Sequence, residues 1–214
     1  MQKQPARGRL TKLQAVILSL AQEIGRPVHK TKLVKLVYLL DNLFCEHVGR
    51  TLTGLEYMWD NYGPNAMSNA IVKEADGLVN RALLHGRDSM SVYGSESRTY
   101  QAFPLTPAAE ELPLDFTERE FVGKIVKKYG SLGVSAIVAE SKRTAPFKKA
   151  TQYRRLEMKQ REDLAELRRK LEATPGYLES LEEDVKIILA GEKAGRWKTL
   201  EEIEEEREQR KKAS

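Results

Sequence analysis

The stretch KLVKLVYLLDNLF, residues 32–44, carries its large apolar side chains at intervals of three and four residues. That spacing places them on one side of an α-helix, where they form a stripe that packs on a core. We extend the predicted helix to residues 30–48, because Gly49 suits the left-handed position that commonly follows a helix. The stripe consists of Leu33, Leu36, Val37, Leu40, Leu43 and Phe44.

A second amphipathic helix is predicted over residues 11–24. Thr11 is a suitable N-cap, and Gly25 and Pro27 end the helical pattern. Its apolar face consists of Leu13, Val16, Ile17, Leu20 and Ile24.

The periodicity changes in YMWDNYGPNAMSNAI, residues 57–71. The residues before it include Gly54 and lead into a short aromatic run, which is typical of a strand or an extended segment. Pro64 disfavours helical backbone at Gly63 and suits the first turn of a new helix, so we predict a helix over residues 64–84. Aromatic side chains beside such a turn either fix it onto the core or form an exposed contact surface. They are Tyr57, Trp59 and Tyr62.

Further elements follow the same reasoning. A β-hairpin is predicted around the polar turn GSESR, residues 94–98, with Val92, Tyr93, Tyr100 and Phe103 on its two sides. Thr117 and Glu120 have the spacing of a capping box, which predicts a helix over residues 117–129. A short helix is predicted over residues 135–140, and RTAPFKKAT, residues 143–151, is interpreted as a turn region.

The composition shifts near residue 151. Of the 36 Lys+Arg and 31 Asp+Glu in the chain, 15 and 16 lie in residues 151–214, which leaves 21 and 15 in residues 1–150. We predict that the charged part after Tyr153 is helical, with a thin apolar stripe that starts at Leu156. We therefore predict a mainly α fold, with a compact helical domain and one small β-hairpin over residues 1–150. A charged helical C-terminal appendage that binds a partner is predicted over residues 151–214.

The chain has no sequence pattern that indicates an enzyme. It lacks a phosphate-binding loop, a dinucleotide fingerprint and a nucleophile elbow. Its histidines, His29, His47 and His85, fall in separate segments, and Cys45 points away from His47 on the same helix. We expect no enzymatic activity, no cofactor and no metal site. The polar, basic N-terminus and the lack of a long apolar run predict a cytoplasmic protein.

One alternative is a DNA-binding regulator of the winged-helix type. The predicted hairpin would be the wing, and residues 64–84 the helix that enters a groove. Asn65, Ser68 and Asn69 are able to contact base edges, but only Lys73 and Arg81 supply positive charge there. Phosphate contacts normally dominate affinity, so we do not favour this interpretation.

Three stretches in order resemble a known family: KLVKLVYLLDNLF, then GRTLTGLEYMWDNYGPNAMSNAI, then ADGLVNRALL. They resemble the Panacea domain, the SocA-like antitoxin domain of bacterial and phage toxin–antitoxin pairs. TAPFKKA, residues 144–150, resembles the closing segment of that family. The chain departs from the family pattern in LTPAAEE, which has Ala in place of Gly, and at Asn65, where Val is common. The matching positions are Leu36, Tyr38, Leu39, Asp41, Gly54, Tyr57, Tyr62, Gly63, Pro64, Gly77 and Leu78.

This resemblance implies a mainly helical domain that neutralises a toxin by direct binding, and it leaves the toxin's class open. The tail LEEDVKIILAGEKAGRWKTLEEIEEE, residues 181–206, resembles the C-terminal segment of small antitoxins of the Phd and VapB kind. Trp197 is the expected main contact there, because Trp is enriched at interface hot spots.

The resulting hypothesis is an antitoxin whose cognate toxin is encoded by the adjacent gene. A proteolytic adaptor that delivers a client is the other alternative, and a homodimer stays open. The predicted toxin-binding residues are Tyr57, Trp59, Asp60, Tyr62, Asn65, Trp197, Leu200 and Ile203, and the predicted structural motif is Tyr38, Asp41, Gly54, Gly63 and Pro64.

Overall fold

The computed structural model describes residues 9–90, 96–103, 106–162, 165, 166 and 169. The fold is mainly helical, as the sequence predicts. Its helices are α1 (Lys12–Ile24), α2 (Lys30–Val48), α3 (Ala70–Asn80), α4 (Phe116–Tyr129), α5 (Val134–Lys142) and α6 (Ala145–Lys149). Its strands are β1 (Val28–His29), β2 (Tyr57–Asp60), β3 (Gly63–Ala66), β4 (Leu84–Met90) and β5 (Glu96–Ala102). Short 3-10 helices cover Met67–Asn69 and Ala109–Glu111.

Helix α2 lies at the centre of the domain. It packs against α1, α3, α4, α5 and β3, so its apolar stripe, except the partly buried Leu43, and most of its other side chains are buried. A helix that is enclosed on several sides needs apolar residues around most of its circumference, and α2 has them between Leu33 and Leu40. Gly49 ends α2 with a φ of 84°, as expected for a C-terminal glycine.

Helix α1 confirms the helix predicted over residues 11–24. Thr11 is its N-cap and forms a capping box with Gln14. The residues between Leu13 and Ala21 are almost all buried, and the helix ends at Gly25 with a φ of 64°.

Two separate sheets complete the domain. Strands β4 and β5 form an antiparallel hairpin, as predicted, but the turn was misplaced, because Glu96, Ser97 and Arg98 of the predicted turn pair within β5 opposite β4. Strand β4 begins as early as Leu84, and Val92 and Tyr93 lie outside the described residues. Strand β1 pairs with the other edge of β5, at Val28–Tyr100 and His29–Thr99. The second sheet is a hairpin of β2 and β3, in which Tyr57 faces Ala66 and Asp60 faces Gly63.

The β2–β3 hairpin corrects the prediction that Pro64 begins a helix. Pro64 lies in β3 opposite Trp59, and the helix that follows starts only at Ala70 and ends at Asn80. Pro is tolerated in an edge strand, where one side of the backbone needs no strand partner. The strand pairing therefore overrides the preference of Pro for the first turn of a helix.

Two further local predictions were wrong. Helix α4 begins one residue earlier than expected, at Phe116, and its capping box lies two residues earlier, at Asp115 and Glu118 and not at Thr117 and Glu120. The segment interpreted as a turn contains α6, which has Thr144 at its N-cap and Pro146 in its first turn.

The compact unit extends past residue 150 and runs from Met1 to Arg161. Residues 153–161, which we call the edge segment, are not helical, contrary to the prediction for this stretch. The Trp59 N–H donates to the Arg154 carbonyl at 2.9 Å, and the Leu156 N–H donates to the Tyr57 carbonyl at 2.8 Å. Leu156 is 4% exposed. The edge segment therefore covers the side of β2 that faces away from β3. The second unit, Glu162–Ser214, is described only at residues 162, 165, 166 and 169, which are helical.

Candidate functional site

The base of the β2–β3 hairpin is held by a buried carboxylate on α2. Asp41 is 0% exposed. It accepts a hydrogen bond from the Tyr57 hydroxyl at 2.6 Å and from the Thr53 N–H at 2.9 Å, and a further one from the Thr53 hydroxyl. Burial raises the pKa of Asp41, and these hydrogen bonds act in the opposite direction. A buried carboxylate with several donors fixes their positions, because each donor would be costly to leave without an acceptor.

Tyr38 adds a second link from α2 to the hairpin. It lies three residues before Asp41, so both side chains project from one side of the helix. The rings of Tyr38 and Tyr57 meet edge to face with centroids 5.1 Å apart. The Tyr38 hydroxyl is 2.6 Å from the Thr144 hydroxyl at the start of α6. Burial raises the pKa of Tyr38 to about 12, so this hydroxyl stays protonated across the physiological range.

Lys35 holds the other strand of the hairpin. It is 2% exposed, and its ammonium group donates to the Pro64 carbonyl. Burial lowers the pKa of Lys35 to about 8, with Asp60 opposing the change and Lys142 adding to it. The Pro64 carbonyl of β3 therefore binds a buried lysine and not the backbone of another strand.

Gly63 is required by the geometry of the turn. Its φ is 90°, and a Cβ atom there would lie 3.3 Å from two side-chain carbons of Lys142. Residues with a side chain rarely adopt this backbone conformation. Asn61 and Tyr62, which form the loop between β2 and β3, are not among the positive-φ residues. Gly63 is therefore the residue of this turn that needs a positive φ, and Asn61 and Tyr62 carry their side chains without that strain.

The tip of the hairpin is exposed and aromatic. Tyr62 is 74% exposed and Tyr153 of the edge segment is 59% exposed. The Tyr153 hydroxyl donates to the Asn61 side-chain oxygen at 2.6 Å, and the Gln152 amide donates to the same oxygen at 3.2 Å. We call this surface of Asn61, Tyr62, Gln152 and Tyr153 the tip patch.

Tyr153 is held in an unusual backbone conformation. Its φ is 61°, which costs on the order of 1–2 kcal/mol for a residue with a side chain. Its N–H donates to the Trp59 carbonyl at 2.9 Å. The fold thus keeps an aromatic ring on the surface at a local cost, and such strain often marks a functional position.

The predicted toxin-binding residues do not share one environment. Tyr57 is 1% exposed and lies in the core, so its assignment to a contact surface was wrong. Trp59 is half-buried, with its ring 4.4 Å from that of Phe147. Asp60 and Asn65 are half-buried and joined by a hydrogen bond of 3.1 Å. Tyr62 has the most exposed side chain among the members that the structure describes. The predicted residues Trp197, Leu200 and Ile203 lie outside the described residues.

Sequence reasoning missed Tyr153, Thr53 and Lys35. The signal for Tyr153 is a single aromatic residue in the polar, charged stretch TQYRR. Lys35 interrupts an otherwise apolar run, which indicates either an exposed face or a buried contact to a carbonyl. Neither signal is specific without the pairing of distant segments.

The geometry does not support the winged-helix interpretation. Asn65 lies in β3, and Ser68 and Asn69 lie in the 3-10 helix Met67–Asn69 with positive φ angles. The three residues that were expected to contact bases therefore do not lie on α3, the helix expected to enter a groove.

The described part of the chain lacks two features, a metal-binding cluster and a membrane-spanning helix. Within the described ranges, no group of His, Cys, Asp and Glu side chains has the geometry to hold a metal ion. No helix among those residues has the length and apolarity needed to cross a membrane.

Comparison with protein families gives a match to the family described as Antitoxin SocA-like, Panacea domain, over residues 33–148. The match covers more than half of the chain. The chain belongs to this family. The matched range begins in α2 and ends in α6, so it contains Tyr38, Asp41 and the whole β2–β3 hairpin. Comparison with curated proteins and with solved structures gave no match.

The structure explains what the Panacea motif does in this chain. Tyr38 and Asp41 bind the base of the hairpin, and Gly63 makes its turn. Gly54, with a φ of 74°, lies in the connection that brings Thr53 and Tyr57 to Asp41. The motif residues therefore position the tip patch and are themselves mostly buried.

Proposed function

We propose that this chain is an antitoxin that neutralises a cognate toxin by direct protein–protein binding, with the tip patch as the contact surface of its domain. The observation that carries the proposal is the exposed Tyr62 on a loop whose two strands are both fixed from α2. Membership in an antitoxin-like family supports it. A contact residue on a rigid base loses little conformational entropy on binding.

The proposed mechanism is occlusion of the toxin's active or target-binding surface. The chain performs no chemistry in this mechanism and acts in the cytoplasm without a cofactor. Tyrosine is among the residues that dominate interface energetics, and a hot spot contributes about 2 kcal/mol or more. Loss of such a contact weakens binding roughly thirtyfold.

The appendage is the second proposed contact region. Trp197, Leu200 and Ile203 are its apolar residues that we expect to bind the toxin, by analogy with the tails of small antitoxins. A chain that ends at Pro175 keeps the whole first unit and lacks these three residues. The truncated chain therefore separates the contribution of the tail from that of the tip patch.

The test is co-expression with the product of the adjacent gene, followed by measurement of growth rescue and of complex formation. The full-length chain should rescue growth and co-purify with that product in fixed stoichiometry. Tyr62→Ala should weaken both. Phe116→Ala is the matched control, because Phe116 is 70% exposed at the start of α4, outside the tip patch.

Each outcome has a defined meaning. Rescue by Tyr62→Ala at the wild-type level would remove the tip patch from the contact surface. Rescue by the chain that ends at Pro175 would do the same for the tail. No rescue by the full-length chain would overturn the antitoxin proposal. Binding to its own upstream DNA would then favour a regulator, and turnover of the bound protein would favour a proteolytic adaptor.

A further inference from the structure

The segment around the tip patch carries basic side chains and no acidic ones. Residues 141–156 contain no Asp or Glu. All of their basic side chains are exposed. These are Lys142, Arg143, Lys148, Lys149, Arg154 and Arg155.

Most of these cations have no acidic partner within the part of the chain that the structure describes. Arg143 pairs with Glu140, and Arg155 pairs with Glu56 at 2.7 Å. Within the described ranges, no carboxylate lies at ion-pair distance from the other four basic side chains. Asp60, the carboxylate nearest the hairpin loop in sequence, accepts hydrogen bonds from the Asn61 N–H and the Asn65 amide. The surface therefore keeps a net positive charge.

The cations lie on segments that contact the β2–β3 hairpin. The Lys142 side chain passes over Gly63, the residue after Tyr62. Helix α6 carries Lys148 and Lys149, and its Phe147 ring lies 4.4 Å from Trp59 of β2. Arg154 is the neighbour of Tyr153, and its carbonyl accepts from the Trp59 N–H. Three separate pieces of backbone thus bring positive charge to one surface.

We propose that the toxin surface bound by the tip patch is acidic, with carboxylates that surround a shallow recess for the rings of Tyr62 and Tyr153. This inference rests on the proposed function and adds the chemistry of the partner's surface. Unpaired cations at the rim of an interface attract a partner of opposite charge and raise the association rate. The rings at the centre supply the apolar contact, as in other interfaces with a polar rim.

A protein partner fits this surface better than duplex DNA does. DNA binders gain most of their affinity from many phosphate contacts, and each contact needs a cation. Four unpaired cations supply few such contacts. Phosphate contacts would use mainly the charge, whereas a protein recess uses both the exposed rings and the charge.

The test compares two charge-reversal variants of the full-length chain. One carries Lys142→Glu, Lys148→Glu and Lys149→Glu together. The control carries Lys73→Glu, Arg87→Glu and Lys127→Glu, which change the net charge equally at exposed positions on α3, β4 and α4. The probe is the purified product of the adjacent gene, and the readouts are the dissociation constant and the association rate at about 50 mM and about 300 mM salt.

We expect the tip variant to bind at least about tenfold more weakly than the wild type at low salt, and the control to stay within about threefold. The association rate of the wild type should fall as salt rises, and that of the tip variant should change little. Urea unfolding of both variants checks that they are folded. If the tip variant does not fold, the salt dependence of the wild type decides, and a rate that does not change with salt overturns the inference.

The failures of the two proposals are distinguishable. If the wild type binds and rescues but the tip variant equals the control, the partner surface is not acidic and the antitoxin proposal stands. If the wild type neither binds nor rescues, both proposals are overturned. Binding to duplex DNA that depends on the same three lysines, without binding to the gene product, would also overturn the inference and assign the surface to nucleic acid.

Discussion

The base and the tip of the β2–β3 hairpin differ in burial and in hydrogen bonding. At the base, Tyr57 is 1% exposed and donates to a buried carboxylate. At the tip, Tyr62 is 74% exposed, only five residues later in the chain. The base residues are constrained by their partners, whereas within the described ranges the Tyr62 side chain makes no hydrogen bond and no ring contact. Two tyrosines from one motif therefore differ in burial, which separates the structural position of Tyr57 from the recognition role that we propose for Tyr62.

Removal of the edge segment should have the largest effect on this arrangement. A chain that ends at Ala150 lacks the backbone partner of β2 and the buried Leu156. We expect it to be less stable than a chain that ends at Arg161 by about 4 kcal/mol, from the burial of one Leu and several hydrogen bonds. Urea unfolding of the two truncated chains measures the difference. Equal unfolding midpoints would show that the base does not need the edge segment.

Substitution of Asp41 tests the base directly. Asp41→Ala leaves the Tyr57 hydroxyl and the Thr53 N–H without their acceptor in the core. The expected loss is about 3 kcal/mol in the free energy of unfolding. Asp60→Ala is the matched control near the tip, where water replaces the lost contacts, and it should cost less than about 1 kcal/mol. A similar loss for both variants would contradict the contrast between base and tip.

The pH dependence of stability tests the contribution of Lys35, which holds β3 at the base of the hairpin. Its pKa is lowered to about 8 in the folded protein from 10.5. Between these values the unfolded chain binds more protons, so this group makes stability rise with pH. Above pH 10 the raised pKa of Tyr38 acts in the opposite sense, because the unfolded chain then loses its proton first.

Lys35→Met should remove that rise. Unfolding free energies at about pH 7.5 and about pH 9.5 should increase more for the wild type than for the variant, by on the order of 1 kcal/mol. The difference between the two proteins isolates Lys35 from other groups that titrate in this range. Parallel pH profiles would mean that Lys35 titrates in the folded protein as it does in the unfolded chain.

Substitution at the tip should have the smallest effect on stability. Tyr62→Ala removes a side chain that is mostly in water, so its free energy of unfolding should stay within about 0.5 kcal/mol of the wild type. Thermal and urea unfolding check this. A larger loss would place Tyr62 among the structural residues and would weaken its use as a probe of binding.

The parts of the fold that depend on local pattern were predictable from sequence. Helices α1 and α2 were predicted because their apolar spacing and their terminal residues, Thr11 and Gly49, lie within the segment itself. The existence of the β4–β5 hairpin was predicted from the polar stretch GSESR, but the position of its turn was not, because Glu96, Ser97 and Arg98 pair with β4.

The errors occurred where a distant partner decides the outcome. Pro64 is suited to a helix start, but pairing with Trp59 and the contact from Lys35 place it in a strand. Tyr57 was assigned to the surface because Asp41, 16 residues earlier, is not recognisable from sequence alone as its acceptor. Tyr153 was missed because it contacts Asn61, 92 residues away in the chain.

The pairing of β1 with β5 and the burial of Leu156 also determine when, during translation, the first unit is able to complete its fold. Val28 has no strand partner until Tyr100 has been made, and β2 has an open edge until Leu156 follows. At about 5–20 residues per second, the interval from Val28 to Leu156 lasts roughly 6–25 s. During that interval the apolar faces of α1 and α2 lack part of their cover. The first unit therefore completes its fold only when its own translation is nearly finished.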